Sequence, residues 1–243
     1  MYFRIFVIAA LLMFSCKKST ERSCFKSAGE YSQIDIPISD VDSISLFKNI
    51  KYRIFQDSQN VVRVKGGENL ISFVDVQNEG GMLSIANENS CNFFRKYKEE
   101  IEVEIHYPNY SRFYIEPSDS VIFMDTIRST DLRIDLRDGG GSAILTTESN
   151  FLSIVVSNGT ADYVLKGFAN QAEVKVQNNG FADATGFTAN DLFLYQRSTG
   201  DLKANVDGAN VLLIIDGIGN VYYQGTPNTE DLNFNGSGEY LPY

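Results

Sequence analysis

From residue 132 onward the sequence repeats itself, and that repeat restricts the fold more than any other feature. The segment Leu132, Ile134 and Leu136 leads to Gly141 and Ala143. Leu152, Ile154 and Val156 lead to Gly159 and Ala161, and Ala172, Val174 and Val176 to Gly180 and Ala182. Leu192 and Leu194 lead to Gly200 and Leu202, and Val211, Leu213 and Ile215 to Gly219 and Val221. Leu232 and Phe234 close the series with Gly238 and Tyr240. The six segments begin at 132, 152, 172, 192, 211 and 232, a period of about 20 residues that marks stacked β architecture. Within a unit, apolar residues alternate, so one face of the strand points inward. A glycine then permits a tight corner, and a second strand begins two residues later. One unit cannot bury its inward side chains alone, but neighbours stacked above and below can. A β-meander sandwich has a similar strand count. The in-phase repetition favours parallel stacking, so the fold expected is an all-β parallel β-helix or solenoid with ~20-residue rungs.

An earlier, degenerate rung reads Phe113 and Ile115, then Ser118, Asp119 and Ser120, then Ile122, with serine in place of glycine. The preceding half is less regular but also β-rich. Ile44 to Leu46, Tyr52 to Ile54, Val62 to Val64, Met82 to Ile85 and Ile101 to Ile105 alternate as strands. Glu68 to Phe73 reads as a short helix or an extra strand, and helix is otherwise scarce. Glycine (19) far outnumbers proline (5), and the 17 Phe and 13 Tyr without Trp agree with strands and turns.

The pieces Cys24-Phe25-Lys26-Ser27, Glu68-Asn69-Leu70-Ile71 and Asn89 to Tyr97, with Gly217-Ile218-Gly219-Asn220 running on to Pro227, are similar to the auto-transporter adhesin, head GIN domain family. The resemblance covers nearly all of the chain after its leader. It implies a right-handed, β-helix-like fold in two parts, carried on bacterial lipoproteins, and an adhesive role. Two departures stand out: Ser118, Asp119 and Ser120 replace a glycine-rich turn, and Gln196 replaces an apolar rung residue.

The N-terminus predicts export. Arg4 precedes an uninterrupted apolar run, Ile5 to Phe14, too short for the roughly 20 residues that span a bilayer. Ser15 then stands directly before Cys16, and Leu12 to Cys16 forms a loose lipobox, with Met13 and Phe14 bulkier than usual. The expected layout is a signal peptide over 1–15, lipidated Cys16 and a short tether over 16–27, an N-terminal β-rich part over 28–110 and the repeat part over 111–243. The chain is then anchored in the bilayer through acylated Cys16, at the outer membrane, with periplasmic and cell-surface faces both open. Two cysteines remain, Cys24 and Cys91. An even pair in an oxidising compartment points to a disulfide, worth roughly 4 kcal/mol for so long a loop. The alternative is two free buried thiols.

The formal charge of −10 argues against nucleic acid and against electrostatic attachment to anionic lipid heads. The single histidine, His106, shares parity with Glu102 and Glu104 and is expected to face solvent. No Ser-His-Asp set, zinc spacing or cofactor motif is present, so neither catalytic residues, nor metal, nor cofactor is expected. Two surfaces remain. Arg133, Asp135 and Arg137 form a charged cluster on an outward strand face, a candidate for glycan contact. Phe193, Tyr195, Leu212 and Ile214 make two rungs apolar on both faces, and a strand apolar on both faces is buried on both. Such a patch requires a cover, and the chain's own N-terminal half is the cover expected, with a homo-oligomer or a ligand as alternatives. The function expected is a non-catalytic, envelope-anchored binding or adhesion module with an unknown protein or glycan ligand. A glycan-binding or polysaccharide-active β-helix and a structural envelope component are the alternatives.

Overall fold

The computed structural model describes residues 27–89 and 100–243. Among the described residues strand accounts for 65% and helix for 2%, arranged as a β-solenoid of about seven turns with ~20-residue rungs. The signal segment, Cys16, Cys24 and Cys91 lie outside the described residues.

In chain order the first half supplies β1 (Tyr31–Pro37), β2 (Ser43–Leu46), β3 (Lys51–Phe55), β4 (Val61–Gly67) and a one-turn helix α1 (Glu68–Ile71). It continues with β5 (Val74–Glu79), β6 (Met82–Asn87), β7 (Glu102–His106) and β8 (Arg112–Ile115). The repeat supplies four long bent strands, β9 (Val121–Leu136), β10 (Ser142–Val156), β11 (Asp162–Asn178) and β12 (Phe181–Ser198). It ends in β13 (Leu202–Asn205), β14 (Asn210–Ile215), β15 (Val221–Gln224), β16 (Thr229–Phe234) and β17 (Tyr240–Pro242).

Two parallel ladders run along the stack. One follows β6, β2, β8, the second half of β9, then β10, β11, β12, β14 and β16. The other follows β7, β3, the first residues of β9, then β10 to β13, β15 and β17. The stack order is therefore not the chain order: β2 and β3 lie between β6–β7 and β8–β9. The ladders pass without a break from residues 28–110 into the repeat. Antiparallel pairing is confined to the first half, where β4 pairs with β7, β1 with β4 and β5 with β6.

Register explains the core. Ile134, Ile154, Val174, Leu194 and Leu213 stand in one column and are buried, as expected of inward rung positions. Two sequence-derived positions move. Ala161 is buried but stands beside Gly141, in the column of corner glycines, and Tyr163 takes the place next to Ala143. The corner is as long as in the preceding rung, but Gly159 falls two residues earlier in it than Gly141 does, so aligning on Gly159 shifts the reading; Gly159 bridges Gly139 instead. In the degenerate rung Val121 and Phe123 point inward rather than Ile122, because Val121 pairs with Ala143.

The two departures noted above also have reasons. The Ser118 hydroxyl accepts the Asn49 amide at 2.7 Å, tying this turn to the loop between β2 and β3. Gln196 is fully buried, and its amide nitrogen donates to the carbonyls of Ser198 (3.1 Å) and Gly200 (2.7 Å). It thus satisfies carbonyls that an apolar residue would leave bare in the corner.

His106 corrects the expectation of exposure. Its parity is outward, since Val103 and Ile105 fill the core, yet the ring is 6% exposed. Its ring lies flat against Phe55, with centroids 4.5 Å apart, and Nδ1 is 2.7 Å from Asp57. Across from it, Lys65 and Arg63 on β4 reach Glu104 at 2.6 and 3.5 Å. These long side chains roof the outer side of β7, which strand alternation alone cannot reveal. Burial would raise the Glu104 carboxyl, but Lys65 and Arg63 outweigh it and hold the group below the usual carboxylate range. Burial and His106 act on Asp57 in the same two opposing senses, with the same outcome. A depressed folded value means stability that is present above the unfolded carboxylate value and lost as pH falls through the folded one. The chain is therefore expected to lose stability below about pH 4. Glu104→Gln should flatten that acid limb in pH-dependent melts, and an unaltered limb would contradict this assignment.

Candidate functional site

Strand alternation turns every second residue of the β8 to β16 ladder to the outside, and parallel register lines these residues up in columns. One column holds Arg133, Ser153, Glu173, Phe193, Leu212 and Asp231. The next holds Asp135, Val155, Lys175, Tyr195, Ile214 and Asn233. The charged cluster and the apolar patch, separate candidates in the sequence, are thus neighbouring stretches of one outer face.

The apolar stretch forms a groove of about 440 Å³. Phe151, Phe193 and Leu212 line it, while Gln171, Asp191, Asn210 and Asp231 contribute polar rim groups. The Phe193 and Tyr195 rings lie within 21° of parallel at a centroid distance of 6.2 Å. The Tyr195 hydroxyl donates to Asp216 at 2.8 Å. Leu212 remains 39% exposed, and Phe193, Tyr195 and Ile214 are half-buried. Among the described residues the expected cover by the N-terminal half is not there. The described residues of the first half join the opposite end of the stack, through β2–β8 and β3–β9, away from these late rungs. The inner residues Leu194, Leu213 and Ile215 are fully buried.

The charged stretch is knit together within itself. Arg133 donates to Asp131 at 2.9 and 3.0 Å, and its guanidinium lies 4.8 Å from the centre of the Phe151 ring. Arg137 sits 3.9 Å from Asp135 and 4.5 Å from the centre of the Tyr114 ring. Asp135 also accepts a short bond from Ser157. Further along, Lys175 reaches Glu173 at 2.6 Å and Ser153 donates to the same carboxylate at 2.8 Å. Burial would raise Glu173, but these bonds win and hold its carboxyl below the usual range. Bonds from Asn235 and Tyr195 lower Asp216 as well. Glycosidase chemistry needs one carboxyl held protonated by a raised pKa. Glu173 and Asp216 are held in the opposite sense.

Sequence reading missed Phe151 and the amide-and-carboxylate rim. Phe151 directly precedes the inward run Leu152 to Val156, so it looks like a turn residue until register places it beside Gln171 and Asp131. Among the described residues no group of three or more acidic, His or Cys side chains could hold a metal ion. No described helix is long and apolar enough to cross a membrane.

Among solved structures, this chain is similar to a "putative adhesin" from Bacteroides fragilis, at a TM-score of 0.79 and 17% identity over 88% of this chain and 97% of that one. A "putative adhesin" from Parabacteroides merdae matches at a TM-score of 0.62 and 15% identity, over 88% and 97% of the two chains. A "putative lipid binding protein" from Parabacteroides distasonis matches at 0.65 and 17%, with the same coverage. At such identities the likeness speaks for the fold. No curated protein matches. The family described as "Putative auto-transporter adhesin, head GIN domain" matches residues 40–227, most of the chain, and the chain belongs to that family.

Proposed function

We infer that this protein is a non-catalytic binding module of the cell envelope, held to the membrane by acylated Cys16, and that its ligand meets the outer face of the β8 to β16 ladder. The observation that carries this reading is the partly exposed apolar strip of Phe193, Tyr195, Leu212 and Ile214, which no other described segment covers. Large apolar side chains gathered on an open strand face, rimmed by polar groups, are the ordinary signature of a contact surface. The rigid solenoid beneath holds them in fixed columns, so little ordering entropy is lost on binding. The paired Arg133, Asp135 and Arg137 cluster supplies the polar continuation of the same surface. Family membership and the adhesin-described neighbours agree with a role in attachment at the cell exterior or envelope.

Two experiments test it. Cys16→Ser is expected to move the protein out of the membrane fraction and abolish metabolic palmitate labelling; unchanged labelling would remove the anchor. For the surface, the mature chain is applied to an array of extracellular-matrix proteins and polysaccharides. Leu212→Asp is expected to weaken the strongest signal at least tenfold, because it places a charge in the centre of the groove. Equal binding by the variant would show that the ligand contacts another face.

A further inference from the structure

Resting on that reading of the face, the geometry points to an uncharged polysaccharide as its ligand, lying along the stack with about one sugar ring to each rung. The first reason is periodicity. Each outer column offers one side chain per rung, at the roughly 4.8 Å spacing of neighbouring strands. A sugar ring in an extended chain has a comparable length, so successive rings meet equivalent positions. A globular partner has no such repeat.

The second reason is the pairing of rings with a mixed polar row. Phe193 and Tyr195 lie side by side on one rung, and Phe151, with Arg133 against its ring, stands two rungs away in the adjacent column. Aromatic faces carry partial negative charge and receive the C–H faces of a sugar ring. Along the groove edge Gln171, Asp191, Asn210 and Thr229 stand in one column. Asn210 donates to Asp191 at 3.0 Å and Thr229 to Asn210 at 3.1 Å. These bonds fix the side chains and leave further lone pairs and amide hydrogens free. Sugar hydroxyls both donate and accept, and a row alternating carboxylate, amide and hydroxyl serves both needs.

Charge selects within that class. The groove lining contains Glu173, Asp191, Glu230 and Asp231 and no cation. The nearby Lys175 and Arg133 are held by Glu173 and Asp131. Uronates, sulfated glycans and phosphate headgroups would meet carboxylates with no free cation to pair with. A cationic peptide is the rival occupant. It is disfavoured because these carboxylates are exposed to water or already bonded, and exposed ion pairs contribute little.

Affinity electrophoresis of the mature chain carrying Cys16→Ser tests this. The gels contain neutral polysaccharides (a β-glucan, a mannan, a xylan and a galactan) or acidic ones (alginate and polygalacturonate). Retardation is expected in at least one neutral gel and in neither acidic gel. Phe193→Ala should weaken it at least tenfold, and Asp191→Asn, which keeps the shape, by a smaller factor. Melting curves for both variants verify that they are folded. Migration unaffected by every neutral polysaccharide overturns the inference, as does retardation that Phe193→Ala leaves intact. Binding to poly-lysine or to a protein that Leu212→Asp abolishes would overturn the glycan assignment while leaving the face as the contact surface. A dimer in light scattering that Leu212→Asp dissociates would likewise replace the glycan by a second copy.

Discussion

Truncating Leu194 to alanine is expected to cost about 2–5 kcal/mol. Leu194 is fully buried in the middle of the stack, between Val174 and Leu213 in the same inward column. Both neighbours are fixed by parallel ladders on rungs that cannot slide towards the gap without breaking their own hydrogen bonds. The site therefore collapses poorly, which puts the cost towards the upper part of that range. In a domain of this size 1 kcal/mol moves the midpoint by roughly 2–4 °C, so a fall of about 10 °C is expected in circular-dichroism melts. A shift under about 2 °C would mean that the column is not the core.

The second large effect is expected at Gly219. A Cβ there would lie 2.1 Å from the Gly200 carbonyl oxygen and 2.4 Å from the Gln196 amide nitrogen. The first contact is with backbone of the rung below, and the second with a side chain that three hydrogen bonds lock in place. Neither can retreat cheaply. Gly219→Ala should cost about 3 kcal/mol, at the upper end for overpacking, and lower the urea midpoint accordingly. Gln196→Ala in the same chain should relieve only the side-chain contact. Gly217 meets the same amide, since its Cβ would fall 2.3 Å from the Gln196 oxygen. The Gly217-Ile218-Gly219-Asn220 segment is thus a close fit around a buried glutamine amide. A Gly219→Ala protein as stable as the parent would refute that fit.

The repeat made the stack legible. Period-2 alternation gave the inward columns from Leu132 to Ile215, and the in-phase glycines gave parallel pairing. The place of the glycine within a corner was less dependable: Ala161 was misplaced, with Tyr163 the inward residue, because Gly159 falls two residues earlier than Gly141 in a corner of equal length. The stack order of the first half was hidden because β2 and β3 find partners on both sides from far along the chain, β2 at Met82 to Ile85 and Arg112 to Ile115, β3 at Glu102 to His106 and Val121 to Phe123. His106 was misread because alternation reports direction, while Phe55 and Asp57 arrive from another segment to cover the ring. The apolar residues Phe193, Tyr195, Leu212 and Ile214 do stand on the outer face, yet the rule that a two-faced apolar strand is covered on both sides misled. That rule describes a sheet enclosed by the rest of its domain. The late rungs of a solenoid have only their neighbours above and below, and Leu212 stays open. The merging of the Arg133 cluster with Phe193 and Leu212 needed the register of five successive rungs.

The account places Leu212 outside the core although it adjoins Val211 and Leu213, which lie inside. The thermal midpoint of Leu212→Asp, read beside that of Leu194→Ala, tests this most directly. A surface substitution changes stability by about 0.5 kcal/mol or less. Leu212→Asp should therefore melt within about 2 °C of the parent protein while losing its ligand. A fall as large as that of Leu194→Ala would show the face to be covered in the folded chain and would remove it as the binding surface.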